Sequence, residues 1–132
     1  MSTSHLSGPL VVGGGTTIAS GSVTIASGGT IIADHGTGTE ASNAVTINAM
    51  SSVITSSSLT TTAGNTYTIT LTNSKIATTS VILISAGNGT NTMNSYRIDQ
   101  AAPTAGSVVL KVCNIHASSA LNGTILINFV IV

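Results

Sequence analysis

The chain has 132 residues, three of them basic and three acidic, with a formal net charge of zero and a single cysteine. So few Lys and Arg cannot neutralise a phosphate backbone, and the apolar runs fall far short of the roughly 20 residues that span a bilayer as a helix, so neither nucleic acid nor membrane is an expected partner. Cys113 has no internal partner for a disulfide and, inside the apolar run 108–115, reads as a small buried thiol.

A chain of this length buries roughly 68% of its unfolded surface, enough for one core and at most an appendage. A typical soluble domain carries about 25% charged residues, whereas this one carries 5%. Its polar surface must therefore be built from Ser, Thr and Asn. Little charge repulsion keeps copies apart, so part of the surface is expected to be covered by other copies or by a partner.

Residues 1–15 open with Ser, Thr, Gly and one Pro around Leu10-Val11-Val12. That is too little apolar surface to fold alone, and it reads as an arm ordered on something else. No basic stretch followed by an apolar run opens the chain, so no signal peptide is expected. In residues 16–34, Thr17-Ile18-Ala19-Ser20 recurs as Thr24-Ile25-Ala26-Ser27 and more loosely as Ile31-Ile32-Ala33-Asp34, a period of seven. Gly21, Gly28 and Gly29 between β-branched units exclude a helical heptad. Two readings stand side by side: very short strands stacked as in a solenoid or fibre shaft, or an extended arm lying over a neighbour. The segment from Asp34 to Glu40 is polar and glycine-containing, and nine of the fourteen glycines lie in the first forty residues. This shift sets an extended arm, residues 1–40, apart from a compact domain, residues 41–132.

The domain reads as strands and turns. Residues 43–48 alternate with Val45 and Ile47 on one face. Residues 52–55 and 58–62 are short strands. Residues 66–73 form the clearest strand, with Tyr67, Ile69 and Leu71 on one face and four threonines on the other. Residues 80–86 are apolar on both faces and read as a central strand, residues 87–91 as a turn, and residues 92–99 as a polar edge strand. The last two strands, 106–115 and 123–132, read as a pair joined by a Ser/Ala/Asn/Gly loop that closes the core. Helical periodicity is absent. The fold class is therefore all-β: an antiparallel β-sandwich or small jelly-roll-like barrel with an extended N-terminal arm. The expected core is Val45, Ile47, Tyr67, Ile69, Leu71, Val81, Leu83, Val108, Leu110, Val112, Ile125, Ile127 and Phe129. Val109, Ile115, Val130 and Val132 project the other way, so those faces need a second layer or a subunit interface.

No pattern for catalysis stands out. His5, His35 and His116 fall in three separate loops or arms, and HExxH, CxxC and GxSxG are all missing, so no metal, cofactor or catalytic residue is expected. Gly13-Gly14-Gly15 precedes no helix and makes no phosphate cradle. Asn88-Gly89-Thr90 and Asn122-Gly123-Thr124 match the glycosylation sequon but read as turns. Tyr96 is the sole candidate platform for a sugar, with packing at an edge strand as the plainer reading.

The segments 59–74, Leu-Thr-Thr-Thr-Ala-Gly-Asn-Thr-Tyr-Thr-Ile-Thr-Leu-Thr-Asn-Ser, and 106–130, beginning Gly-Ser-Val-Val-Leu-Lys-Val-Cys-Asn, resemble the C-terminal β-domain of small virion structural proteins of tailed bacteriophages. These are capsid decoration (cement) proteins and short head fibres. The resemblance covers residues 41–132; the arm is similar in style only. It implies a homotrimer on the outer surface of the capsid, with an arm gripping the major capsid protein and no catalytic residue. On that reading His5, Leu6, Pro9, Leu10, Val11, Val12, Ile18, Ile25 and Ile32 touch capsid protein, and Val109, Ile115, Val130 and Val132 form the trimer interface. The alternatives are a tail-fibre, spike or head-fibre component binding a host receptor or glycan, and a cellular adhesin or carbohydrate-binding domain.

Overall fold

The computed structural model describes residues 34–132. They form eight strands and no helix: β1 (His35–Thr39), β2 (Ala44–Thr46), β3 (Ser51–Thr55), β4 (Thr66–Thr72), β5 (Ile82–Asn88), β6 (Tyr96–Gln100), β7 (Ser107–Asn114) and β8 (Ile125–Ile131). The first sheet has the order β1-β3-β8-β5 and the second β2-β4-β7-β6. The all-β expectation holds. The sheets are mixed rather than purely antiparallel, since β1 runs parallel to β3 and β2 parallel to β4. The cause is the path of the chain. From β1 to β4 it alternates between the sheets, so each strand lands beside the one two earlier and points the same way. Only β6 and β7 are consecutive neighbours within one sheet.

Period-two alternation builds one core between the sheets. The first sheet contributes Ile54, Ile82, Ile125, Ile127, Phe129 and Ile131. The second contributes Val45, Ile69, Leu71, Val108, Leu110 and Val112. Ile47, Ala49, Leu59, Ile76 and Leu121 fill in from the connections. Eleven of the thirteen residues expected in the core point into it, ten of them buried and Tyr67 half-buried against the cluster.

Val81 and Leu83 do not, being 57% and 58% exposed. Their strand is apolar on both faces, so composition cannot say which face turns inward, and a one-residue change of phase exchanges them. The pairing of Ile82 with Ile131 turns the even-numbered residues in. The same strand is an edge of its sheet rather than a centre. Residues 58–62 form no strand; Leu59 only bridges to Gly123. The polar edge strand is confirmed in shortened form as β6. The two C-terminal strands are not a hairpin: β7 lies in the second sheet and β8 in the first, so residues 115–124 arch across the core. Asn114 fixes that arch. Its buried amide donates to the carbonyls of Thr61 (2.8 Å) and Ser119 (2.9 Å) and its Oδ1 accepts from His116 N.

Candidate functional site

The two sheets present very different outer faces. On the second sheet the outward positions are Thr66, Thr68, Thr70 and Thr72 of β4, Val109, Lys111 and Cys113 of β7, and Arg97 and Asp99 of β6. Arg97 Nε donates to Asp99 Oδ2 at 3.0 Å across an exposed pair, and Asp99 lies opposite Lys111. The Asp99 carboxylate beside it raises the Arg97 guanidinium further above its ordinary value. Tyr96 is half-buried against the core with Ile98 and Met93. Tyr96 thus has the packing contacts of an edge-strand aromatic, and burial pushes its hydroxyl up.

The strands of the first sheet carry no Asp, Glu, Lys or Arg at all. The one ionisable side chain on them is His35, whose Nδ1 sits 3.0 Å from Ser51 Oγ. Toward the other edge of this face the outward residues turn apolar. Leu83 is paired with Val130, and Val81 and Val132 exchange both main-chain hydrogen bonds at 3.0 and 2.9 Å. All four side chains are thus brought together on two adjacent strands, with Val130 and Val132 themselves 44% and 69% exposed. A shallow depression of about 190 Å³ lies among Leu83, Ser85, Asn128 and Val130.

Of the expected interface residues, the structure therefore unites Val130 and Val132, with Val81 and Leu83 added to them. Val109 and Ile115 lie on the outer side of the other sheet. The difference follows from the arch: strands that do not share a sheet cannot share a face. Leu83 and Val81 were missed because their strand shows no polar face to mark the outside. The expected capsid-contact residues His5, Leu6, Pro9, Leu10, Val11, Val12, Ile18, Ile25 and Ile32 lie outside the described residues.

Other reactive side chains are engaged in the scaffold. Among the described residues no three His, Cys, Asp or Glu side chains gather as a metal site would require. Cys113 is half-exposed rather than buried, 3.4 Å from Thr66 Oγ1 and 3.5 Å from Asp99 Oδ2. His116 Nδ1 accepts from Ser118 N and Ser119 N at 3.1 and 2.9 Å, stapling the β7–β8 arch. Glu40 is buried and accepts from Asn43 N (2.6 Å), Ser57 N (2.8 Å) and the Tyr67 hydroxyl (3.0 Å). Burial pushes its carboxyl up, but the bonds from Ser57, Asn43 and Tyr67 outweigh it and leave the group below its ordinary value. Burial raises the Tyr67 hydroxyl, and the adjacent carboxylate raises it further.

The two Asn-Gly-Thr tripeptides are not simple turns: Asn88 ends β5 and is followed by a bend, Gly123 bridges to Leu59 just ahead of β8, and the two tripeptides interlock. Thr90 N donates to Thr124 Oγ1 at 3.0 Å and Thr124 N donates to Thr90 Oγ1 at 2.9 Å. Gly89 N and Asn91 N both donate to Thr124 O, and Gly123 N donates to Leu59 O. Gly123 has φ of 131°, and a Cβ there would sit 2.8 Å from Asn91 N.

No protein-family model matches the chain, and comparison with curated proteins and with solved structures found no match.

Proposed function

We propose that this chain is a non-enzymatic structural protein of a tailed-phage virion, a decoration protein that assembles as a homotrimer on the outer surface of the capsid and stabilises the shell. The observation that carries this reading is the outer face of the first sheet, whose strands hold no Asp, Glu, Lys or Arg and which carries four exposed apolar side chains. A lone soluble domain gains nothing from such a face, whereas a subunit that works by assembly does. The resemblance of segments 59–74 and 106–130 to decoration proteins supports the same reading, as does a surface made of Thr, Ser and Asn. The domain is taken as a β-sandwich that includes β1 (His35–Thr39) and the buried Glu40, so the anchor is narrowed from residues 1–40 to the arm ahead of β1. Arm residues from His5 to Ile32 lie against major capsid protein as added strands, and many weak contacts act together to resist outward pressure.

Copy number in purified virions, measured by quantitative mass spectrometry, tests this. A stoichiometry equal to the major capsid protein, or a simple fraction of it, is expected. A few copies per particle would place the protein in a tail or vertex fibre instead, and absence from virions would remove the phage reading. Deleting residues 1–33 is expected to leave a folded trimer that no longer binds capsids; retained binding would refute the arm's role.

A further inference from the structure

We infer that copies of this chain meet through the outer face of the first sheet, around Val81, Leu83, Val130 and Val132, and not through the Val109 and Ile115 side of the second sheet. This rests on the homotrimer reading above and names the surface that builds it.

Three observations select another copy of the chain as the occupant. The first is charge. A partner of ordinary composition would bring Lys, Arg, Asp or Glu against strands that hold no Asp, Glu, Lys or Arg to pair with them, and burying an unpaired charge is costly. A chain with only six charged residues, whose sheet strands place theirs on β6 and β7 of the other sheet, is its own best complement. The second is the edge beside the face. Val81 and Val132 exchange main-chain bonds, so in an antiparallel ladder the N–H and C=O of Ile84 and Ala86 point away from β8. Among the described residues, only Ile82, whose carbonyl accepts from Gln100 Nε2 at 3.1 Å, is given a partner on that side by a side chain. From Val81 to Asn88 the strand holds no charge and no proline, the devices that keep edge strands apart. The third is contrast. Ile115 is as exposed as Leu83, 57% against 58%, but its sheet also presents Arg97, Asp99 and Lys111, which would have to be desolvated in any contact.

In the proposed trimer, three such faces line the axis, each apolar strip packing against its two equivalents. The depression between Leu83 and Val130 receives a side chain from the neighbour.

The test is the mass in solution, by sedimentation velocity, of the full chain and two paired variants. Leu83→Asp with Val130→Asp places charges on the first sheet's face; Val109→Asp with Ile115→Asp does the same on the second. The wild type is expected at three times the monomer mass, the first variant at one third of that, and the second unchanged. Circular dichroism and the thermal melt confirm that each variant folds. If the first does not, Leu83→Thr with Val130→Thr keeps strand propensity while removing the apolar contact, and is expected to weaken assembly at least tenfold. Dissociation by the second variant alone would overturn the choice of face and leave the trimer standing. A monomeric wild type would overturn both. A first variant that folds and stays assembled would refute the inference and move the contact to another surface.

Discussion

Glu40 holds the turn between β1 and β2, and among the described residues no cation pairs with it. Its carboxylate gathers the N–H of Asn43, the N–H of Ser57 and the hydroxyl of Tyr67, and so ties the turn to the loop after β3 and to β4. Ser42 and Asn43 take positive φ of 52° and 66° in that turn, a conformation unfavourable for residues with a side chain unless something holds it. Glu40→Gln keeps the shape but sets an amide N–H₂ against donors. The variant is expected to lose about 2–3 kcal/mol of unfolding free energy at neutral pH, read from urea titration. A loss under about 0.5 kcal/mol would show that the turn stands without the carboxylate. Because the folded carboxyl titrates below its ordinary value of 4.5, its contribution is fully present above that pH and is lost as pH falls through the folded value. The gap between wild type and variant should therefore narrow in acid. Nothing in the sequence marks Glu40 for this role: it is a single acid at the end of a glycine-containing stretch, and its partners come from 3, 17 and 27 positions away.

At the scale of elements, β1 shows how close the sheets come. Its inward positions are Gly36 and Gly38, and a Cβ on Gly38 would lie 2.8 Å from Ile47 Cδ1 and 2.9 Å from Val45 Cγ2. Gly38→Val is expected to cost roughly 1–3 kcal/mol through overpacking. Gly87→Val on β5, where a Cβ meets nothing within 4 Å, is expected to be neutral. Equal effects at the two sites would mean that β1 is not packed as described. How much was legible in the sequence divides along the same lines. Strand β4 could be read because Thr66 to Thr72 give it one wet face, and its buried residues are those the alternation marks. Strand β5 could not, because Leu83 and Ile84 offer no polar side to break the tie. The arch 115–124 could not be told from a hairpin either, since Ser, Asn and Gly serve both, and the arch decides that Val109 and Val130 lie on opposite faces. The outward direction of Val130 and Val132 was legible; the company they keep was not.

For the domain as a whole, charge contributes little. Among the described residues the one ion pair is Arg97–Asp99, and both side chains are well exposed, 63% and 44%. Exposed pairs are worth at most about 1 kcal/mol and are screened by salt. Raising NaCl from about 10 mM to about 0.5 M is expected to move Tm by less than about 3 °C. A larger drop would reveal an electrostatic contribution that these residues do not supply. Stability lies instead in the apolar core and in strand pairs far apart in the chain, such as Ile54 with Ile127. Such topology folds slowly, on the order of milliseconds to seconds.

The interlocked Asn-Gly-Thr segments also bear on how the protein ages. In a flexible chain an Asn-Gly step is chemically fragile: the glycine nitrogen attacks the asparagine side-chain carbonyl, ammonia leaves, and water opens the resulting ring to Asp or isoAsp. Here both attacking nitrogens are held in hydrogen bonds, Gly89 to Thr124 O at 2.9 Å and Gly123 to Leu59 O at 3.1 Å. The folded protein should keep Asn88 and Asn122 intact through long incubation at mildly alkaline pH, while the urea-unfolded chain loses them, as peptide mapping would record. Asparagine loss then becomes a clock for opening of these two segments, and the protein would carry in its own residues a record of how long it has stayed folded.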